Sequence, residues 1–227
     1  MAAVDKALPK RTYDRAPLKR IGAAVRKRLA DNAEIYRVPA EQAEIFAIGD
    51  FVTADERTRL IAQIDAVAKP SAAYDSGYEE AYRTSYSGNF DPADPLVRAV
   101  TRRIDDLLGM DPALGETLQG QRYLPGQQFK PHYDWFHPGS SYWKTEDRRG
   151  GQRCWTAMAF LNQVEGGGET EFPSLGLTIQ PQPGALLIWN NADPEGKPNE
   201  MTLHAGMPVT AGVKYIVTKW YRVRAWG

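Results

Sequence analysis

Of the three histidines in the 227 residues, two fit a metal site. His132-Tyr133-Asp134 places an imidazole and a carboxylate two residues apart in a strand-like stretch. Alternate side chains of a strand face the same way, so both would point into one cavity. The same spacing also describes a strand with two polar side chains facing water. His204, in the distant stretch Thr202-Leu203-His204-Ala205-Gly206, can supply a third ligand from another strand. Two imidazoles and one carboxylate on one face of a metal leave three positions open, the arrangement used for non-haem Fe(II). Zinc accepts the same donors. His137, beside Pro138 and Gly139, reads as a loop residue.

Lys214 opens the final apolar run, Lys214-Tyr215-Ile216-Val217-Thr218-Lys219-Trp220. Lysine is rarely buried without a partner. The residue reads either as a counter-ion for a ligand's carboxylate or as a charge guarding a sheet edge. In company with His132, Asp134 and His204, the first reading is preferred.

Helices come first along the chain. Pro17, then Leu18, Ile21, Val25 and Leu29, predict an amphipathic helix over 17–31. A strand is expected near 44–48. Thr53 and Glu56 have capping-box spacing ahead of a helix over 54–68. Pro95 opens another, and Gly109 ends it. After about residue 115 the texture changes to short runs broken by Gly, Pro and Asn: 117–124, 155–162, 177–180, 185–189, 201–204 and 214–223. Many short strands with turn signals predict a β-sandwich or barrel. The expected organisation is a basic arm over 1–16, a supporting helical and strand region over 17–114, and a β-domain over 115–227. Two loops, 70–82 and 137–152, are expected to act as lids that order over substrate.

Composition narrows the class. Charged residues at 25% and apolar residues at 42% are ordinary for a soluble globular chain. No run approaches the ~18 apolar residues of a membrane span. Cys154 is the only cysteine, which excludes a disulfide framework. The N-terminus lacks the apolar core of a secretory signal, so a reducing cytoplasm is expected. The 28 basic and 28 acidic side chains cancel, but residues 1–30 hold nine basic and two acidic ones, 9 − 2 = +7. No nucleic-acid-binding motif accompanies that charge, so it reads as a solvated arm and helix face.

In order, the chain carries Arg122-Tyr123-Leu124-Pro125-Gly126-Gln127, Phe129-Lys130-Pro131-His132-Tyr133-Asp134-Trp135-Phe136, Gly150-Gly151-Gln152-Arg153 with Thr156, and Phe160-Leu161-Asn162. It then carries Gly167-Gly168-Glu169-Thr170-Glu171-Phe172-Pro173, Leu203-His204-Ala205-Gly206-Met207-Pro208-Val209, and Gly212-Val213-Lys214 through Trp220. Arg83-Thr84-Ser85 extends the series upstream. Together these resemble the prolyl 4-hydroxylase family of Fe(II)/2-oxoglutarate-dependent dioxygenases, over roughly residues 117–222. The resemblance implies an α+β, mainly β fold, a double-stranded β-helix (jelly-roll) core with the N-terminal helices on one sheet.

It further implies His132, Asp134 and His204 as iron ligands, and Lys214 as partner of the 2-oxoglutarate distal carboxylate. Tyr123 and Thr170 would hydrogen-bond the same cosubstrate, and Arg153 and Trp220 would face substrate. The implied reaction hydroxylates an unactivated C–H bond, foremost of a prolyl residue in a protein or peptide. It consumes Fe(II)-bound O2 and 2-oxoglutarate, releases succinate and CO2, and takes ascorbate (vitamin C) as a candidate reductant. A free amino acid or small molecule is the alternative substrate, and a metal-binding β-barrel without turnover the alternative of another class. A nucleic-acid substrate is disfavoured, because that branch of the superfamily usually meets the cosubstrate with arginine. No membrane partner is implied, and the oligomeric state is unassigned. Two departures bear on substrate rather than metal: Phe129 stands where many relatives have Tyr, and Asn199-Glu200-Met201-Thr202 stands where Asp is frequent.

Overall fold

The computed structural model describes residues 14–71 and 82–227. Most of the expected basic arm, and the expected lid at 70–82 except for its end residues, lie outside the described residues. Four α-helices are described: α1 (Arg15–Ala30), α2 (Ala54–Val67), α3 (Pro95–Leu108) and α4 (Trp143–Arg148). The first seven described strands are β1 (Tyr36–Arg37), β2 (Ile45–Ile48), β3 (Lys69–Pro70), β4 (Tyr86–Asn89), β5 (Gln119–Tyr123), β6 (Phe129–His132) and β7 (Arg153–Phe160). The other seven are β8 (Gly166–Gly167), β9 (Thr170–Phe172), β10 (Leu177–Ile179), β11 (Leu186–Asn190), β12 (His204–Gly206), β13 (Val209–Ala211) and β14 (Lys214–Arg222).

The helix ends follow local chemistry. Helix α1 starts at Arg15, two residues before the expected start. Pro17 still lies in the first turn, where its missing N–H costs nothing, and the Leu18 N–H donates to the Asp14 carbonyl at 2.8 Å. Leu18, Gly22, Val25 and Leu29 form its buried stripe. Thr53 and Glu56 complete the expected capping box of α2. The Asp94 side chain caps α3, which Gly109 ends in the left-handed region at φ 64°.

Eight strands form the main sheet in the order β1-β2-β11-β7-β14-β5-β4-β3. Its pairings are antiparallel throughout. Strands β2, β3 and β4, from before residue 115, hydrogen-bond in the same sheet as the later strands. A second sheet runs β10-β9-β12-β6, and β13 pairs with β8. One core lies between helices and main sheet, with Leu60, Ile64, Val100, Ile104 and Val217 among its members. The other lies between the two sheets, around Phe160, Phe172, Trp189 and Ile216. All eight residues of β7 are buried, because the strand is covered on both faces. Trp155, Ala157 and Ala159 join the helical side, while Met158 and Phe160 join the other. The architecture is the expected mainly β jelly-roll with helices on one sheet.

One expectation changes. The strand expected at 201–204 is a 3-10 turn, Glu200–Thr202, followed by β12 from His204. The Asn199 side chain accepts the Met201 N–H at 3.0 Å and holds that turn. The segment 137–152 contains α4, whose Glu146 is buried. The Arg222 Nη2 donates to Glu146 Oε2 at 2.5 Å, so an ion pair ties this expected lid to the main sheet.

Candidate metal centre

The site is made where β6 ends and β12 begins. These strands pair antiparallel with His204 directly opposite His132, and the two ring centroids are 4.2 Å apart. Asp134 lies two residues past the end of β6, at a bend rather than within a strand as expected. Ligand atoms of His132, Asp134 and His204 all lie within 4.8 Å of one another. The His204 Nε2 is 3.8 Å from Asp134 Oδ2.

The backbone sets how each imidazole presents itself. His132 Nδ1 donates to the Lys130 carbonyl and His204 Nδ1 to the Thr202 carbonyl, each at 2.9 Å. With the proton on Nδ1, each Nε2 carries the lone pair that a metal needs. Burial, and then the neighbouring His204, push the His132 pKa well below the usual imidazole value. A neutral imidazole is the form that ligates. The Phe129 ring stacks on His132 with centroids 3.5 Å apart and planes 15° from parallel. His137 stands apart, its Nδ1 accepting the Gly139 N–H at 3.1 Å in the following loop.

Alternation along β14 builds the wall beside this triad. Lys214, Ile216, Thr218 and Trp220 line the cavity that also holds His132, Asp134 and His204. Tyr215, Val217 and Tyr221 turn to the helical core. Lys214 is therefore in an interior strand between β5 and β7, not at a sheet edge. It is 2% exposed, and its Nζ lies 5.5 Å from the Tyr123 ring centroid and 5.8 Å from that of Phe160. Among the described residues no carboxylate forms an ion pair with it. Burial lowers its pKa from 10.5 to about 8, against a weaker pull from Glu169. Thr170 Oγ1 is buried without a hydrogen-bond partner among the described residues. The Tyr123 hydroxyl, opposite Lys214 in register, donates to Gln121 Oε1 at 2.8 Å.

An outer cleft of about 310 Å³ opens over the triad, with Tyr82, Arg83, Trp135, Arg153 and Trp220 among its walls. Arg153 is buried in that wall. Its Nε donates to Glu116 Oε1 at 2.6 Å and its Nη2 to Glu116 Oε2 at 2.8 Å. Its guanidinium carbon lies 4.1 Å from the Trp220 ring centroid, and its Nη1 is 4.0 Å from Asp134 Oδ1. Sequence reasoning missed Glu116, because a lone acid before a strand carries no spacing signal. It also missed Arg222, a base at the end of β14 whose partners are remote in sequence: its Nε donates to Glu116 Oε1 at 2.5 Å. A wider concavity of about 1090 Å³ lies on the helical side near Arg28, Asp50 and Arg103. It gathers mixed surface charge and none of the triad.

Residues 118–222 match the family model described as the 2OG-Fe(II) oxygenase superfamily. Probable prolyl 4-hydroxylase 8 of Arabidopsis thaliana is 32% identical over 208 residues, covering 78% of this chain and 68% of that protein. The chain belongs to the prolyl 4-hydroxylase family of 2OG-Fe(II) oxygenases. The metal of this family is ferrous iron and its cosubstrate 2-oxoglutarate. Prolyl 4-hydroxylase subunit alpha-2 of Gallus gallus is 34% identical over 145 residues, 63% of this chain. The chain spans only about a quarter of that subunit's length, 26%. A viral collagen prolyl hydroxylase of Paramecium Bursaria Chlorella virus-1, solved as a 2OG complex, is 27% identical with a TM-score of 0.61. That match covers 84% of this chain and 96% of the viral one.

The residues present fit both groups. Two imidazole nitrogens and one carboxylate are a ferrous donor set. A buried ammonium and a buried unsatisfied hydroxyl on the adjoining wall are what a dicarboxylate would complete.

Proposed function

We propose that this protein hydroxylates a prolyl residue of a protein or peptide. His132, Asp134 and His204 hold Fe(II), and Lys214, Thr170 and Tyr123 hold 2-oxoglutarate. When bound, the iron with 2-oxoglutarate and O2 supplies an oxidation that adds one oxygen atom to an unactivated C–H bond and leaves succinate and CO2. The chain's own part is placement and charge. The backbone carbonyls of Lys130 and Thr202 keep both imidazoles in the ligating tautomer. Lys214 offsets the distal carboxylate of the cosubstrate, and the Thr170 hydroxyl gives it a hydrogen bond. The Phe160 and Tyr123 rings exclude water from that ion pair, which strengthens it. Trp220 and Arg153 wall the outer cleft, where a prolyl ring would rest against an aromatic face.

The observation that carries this reading is Lys214, a buried ammonium on the triad's wall with no ion-pair partner among the described residues. A metal module without turnover has no use for it. We propose a cytoplasmic location, in keeping with a chain that carries one cysteine and so no internal disulfide. Cys154 is buried, and burial raises its pKa to about 12, which keeps it protonated and unreactive.

The test is succinate release from 2-oxoglutarate with ferrous iron, O2 and ascorbate, in the presence of proline-containing peptides or free proline. Peptide-stimulated release, with a mass gain of one oxygen on a prolyl residue, is the expected result. Stimulation by free proline alone would replace the peptide with a small-molecule substrate. Absence of iron-dependent succinate would overturn the reading.

A further inference from the structure

The Asp134 carboxylate does not stand alone. Thr156 Oγ1 lies 2.8 Å from Asp134 Oδ2, and Asn191 Nδ2 lies 2.9 Å from Thr156 Oγ1. All three side chains are buried: Asp134 is 5% exposed, Asn191 1% and Thr156 0%. A threonine hydroxyl has one proton to give. An ionised Asp134 accepts only, so that proton must point at Oδ2. The hydroxyl lone pair then needs a donor, which the Asn191 amide nitrogen supplies. A flipped Asn191 would turn two acceptors on one proton and leave either Thr156 or Asp134 facing bare oxygen. The chain of bonds therefore has one direction, Asn191 to Thr156 to Asp134.

The support beneath this chain is rigid. Thr156 lies in the middle of β7, opposite Trp189 of β11 and Trp220 of β14. Asn191 directly follows β11; its N–H donates to the Cys154 carbonyl at 2.8 Å, and its own carbonyl accepts the Asn199 N–H at 3.0 Å. Asp134, by contrast, sits on a bend past the end of its strand. The least constrained member of the triad is thus the one held from the sheet behind it.

We propose that Thr156 and Asn191 are positioning residues that fix the rotamer of Asp134 for the metal. The proposal rests on reading Asp134 as an iron ligand. Outer partners of metal ligands typically contribute about 10–100-fold in affinity. A side chain that only packs would be replaced by an isostere without such a loss.

The experiment titrates the metal-free protein with Co(II), following its visible absorption, in five forms: wild type, Thr156→Val, Thr156→Ser, Asn191→Asp and Asp134→Ala. Thr156→Val keeps the shape and removes the proton, and is expected to weaken Co(II) about tenfold or more. Thr156→Ser is expected to restore wild-type affinity. Asn191→Asp leaves the hydroxyl in place but asks it to donate to residue 191, and is expected to weaken Co(II) as well. At saturating metal, 2-oxoglutarate affinity is expected to stay close to wild type in Thr156→Val. Should Thr156→Val fail to fold, Asn191→Asp decides. Wild-type Co(II) affinity in Thr156→Val or Asn191→Asp overturns the proposal, as does a Thr156→Ser no better than Thr156→Val. Wild-type affinity in Asp134→Ala overturns the ligand assignment instead, so the two failures are told apart.

Discussion

At the scale of single residues, Lys214 makes the sharpest claim, because its charge works in opposite directions on binding and on stability. Burial holds its pKa near about 8 when no carboxylate is beside it. Below that pH the ammonium is ready for the distal carboxylate of 2-oxoglutarate. Above it a proton must be taken up on binding, so affinity falls with rising pH. Folding runs the other way. Between about 8 and the ordinary 10.5 the unfolded chain binds more protons than the folded one. Lys214's contribution to stability therefore rises with pH across that window. The apparent KM for 2-oxoglutarate is expected to be flat below about pH 8 and to climb above it. Lys214→Met should raise that KM by roughly 10–100-fold, the worth of a charged hydrogen bond, abolish the climb, and leave Co(II) binding intact. A Lys214→Met enzyme with wild-type KM at low cosubstrate would remove this residue from the site. Lys214 stands out in the sequence because a lysine opening an apolar run is already an anomaly, and its burial on the triad's wall is what makes its charge matter. The Thr156 and Asn191 pairing is not legible there, since a threonine in a strand and an asparagine after one are unremarkable until the sheet brings them beside Asp134.

At the scale of elements, periodicity and caps were legible and long-range ion pairs were not. The apolar spacing of α1 and α3 and the Thr53–Glu56 box of α2 are local signals, and the structure repeats them. At 201–204 the expected strand gives way to a turn because one capped turn and a three-residue strand share too few residues for a period to show. The polar, glycine-containing stretch 137–152 shows no local sign of what holds it to the sheet. Its anchor, Glu146, pairs with Arg222 across 76 residues of sequence, a relation that no local pattern contains. Glu146 and Arg222 side chains are 2% and 1% exposed, so salt will screen the pair little. Glu146→Ala leaves Arg222 with the Glu116 carboxylate and the Gly151 carbonyl and is expected to cost about 3–5 kcal/mol, read from urea unfolding. It should also expose 137–152 to limited proteolysis. A change below about 1 kcal/mol would mean that α4 is held by something other than this pair.

For the whole molecule, the decisive relation is between the helical layer and the sheet that carries the site on its other face. Two glycines make that contact close. Gly88 of β4 and Gly120 of β5 are paired in register, side by side under α2. A Cβ on Gly120 would stand 2.4 Å from Ile64 Cγ1 and 2.9 Å from Phe90 Cζ. A Cβ on Gly88 would stand 2.8 Å from both Val67 Cγ2 and the Val67 carbonyl oxygen. Neither glycine has a left-handed φ, so both are there for space, not for backbone freedom. Gly120→Val must therefore push α2 away or force strained rotamers, at about 1–3 kcal/mol. Ile64→Ala by itself opens a cavity and destabilises, but the room it frees lies where the new valine needs it. The double variant is thus expected to be more stable than the sum of the singles predicts, a coupling of about 0.5–3 kcal/mol measured by thermal or urea unfolding. Co(II) affinity at room temperature should stay at the wild-type value in Gly120→Val, because His132, Asp134 and His204 sit across the sheet from α2. Strict additivity of the two substitutions would show that α2 does not rest on this glycine floor. A parallel loss of metal affinity would show that the sheet passes strain from its helical face to the triad.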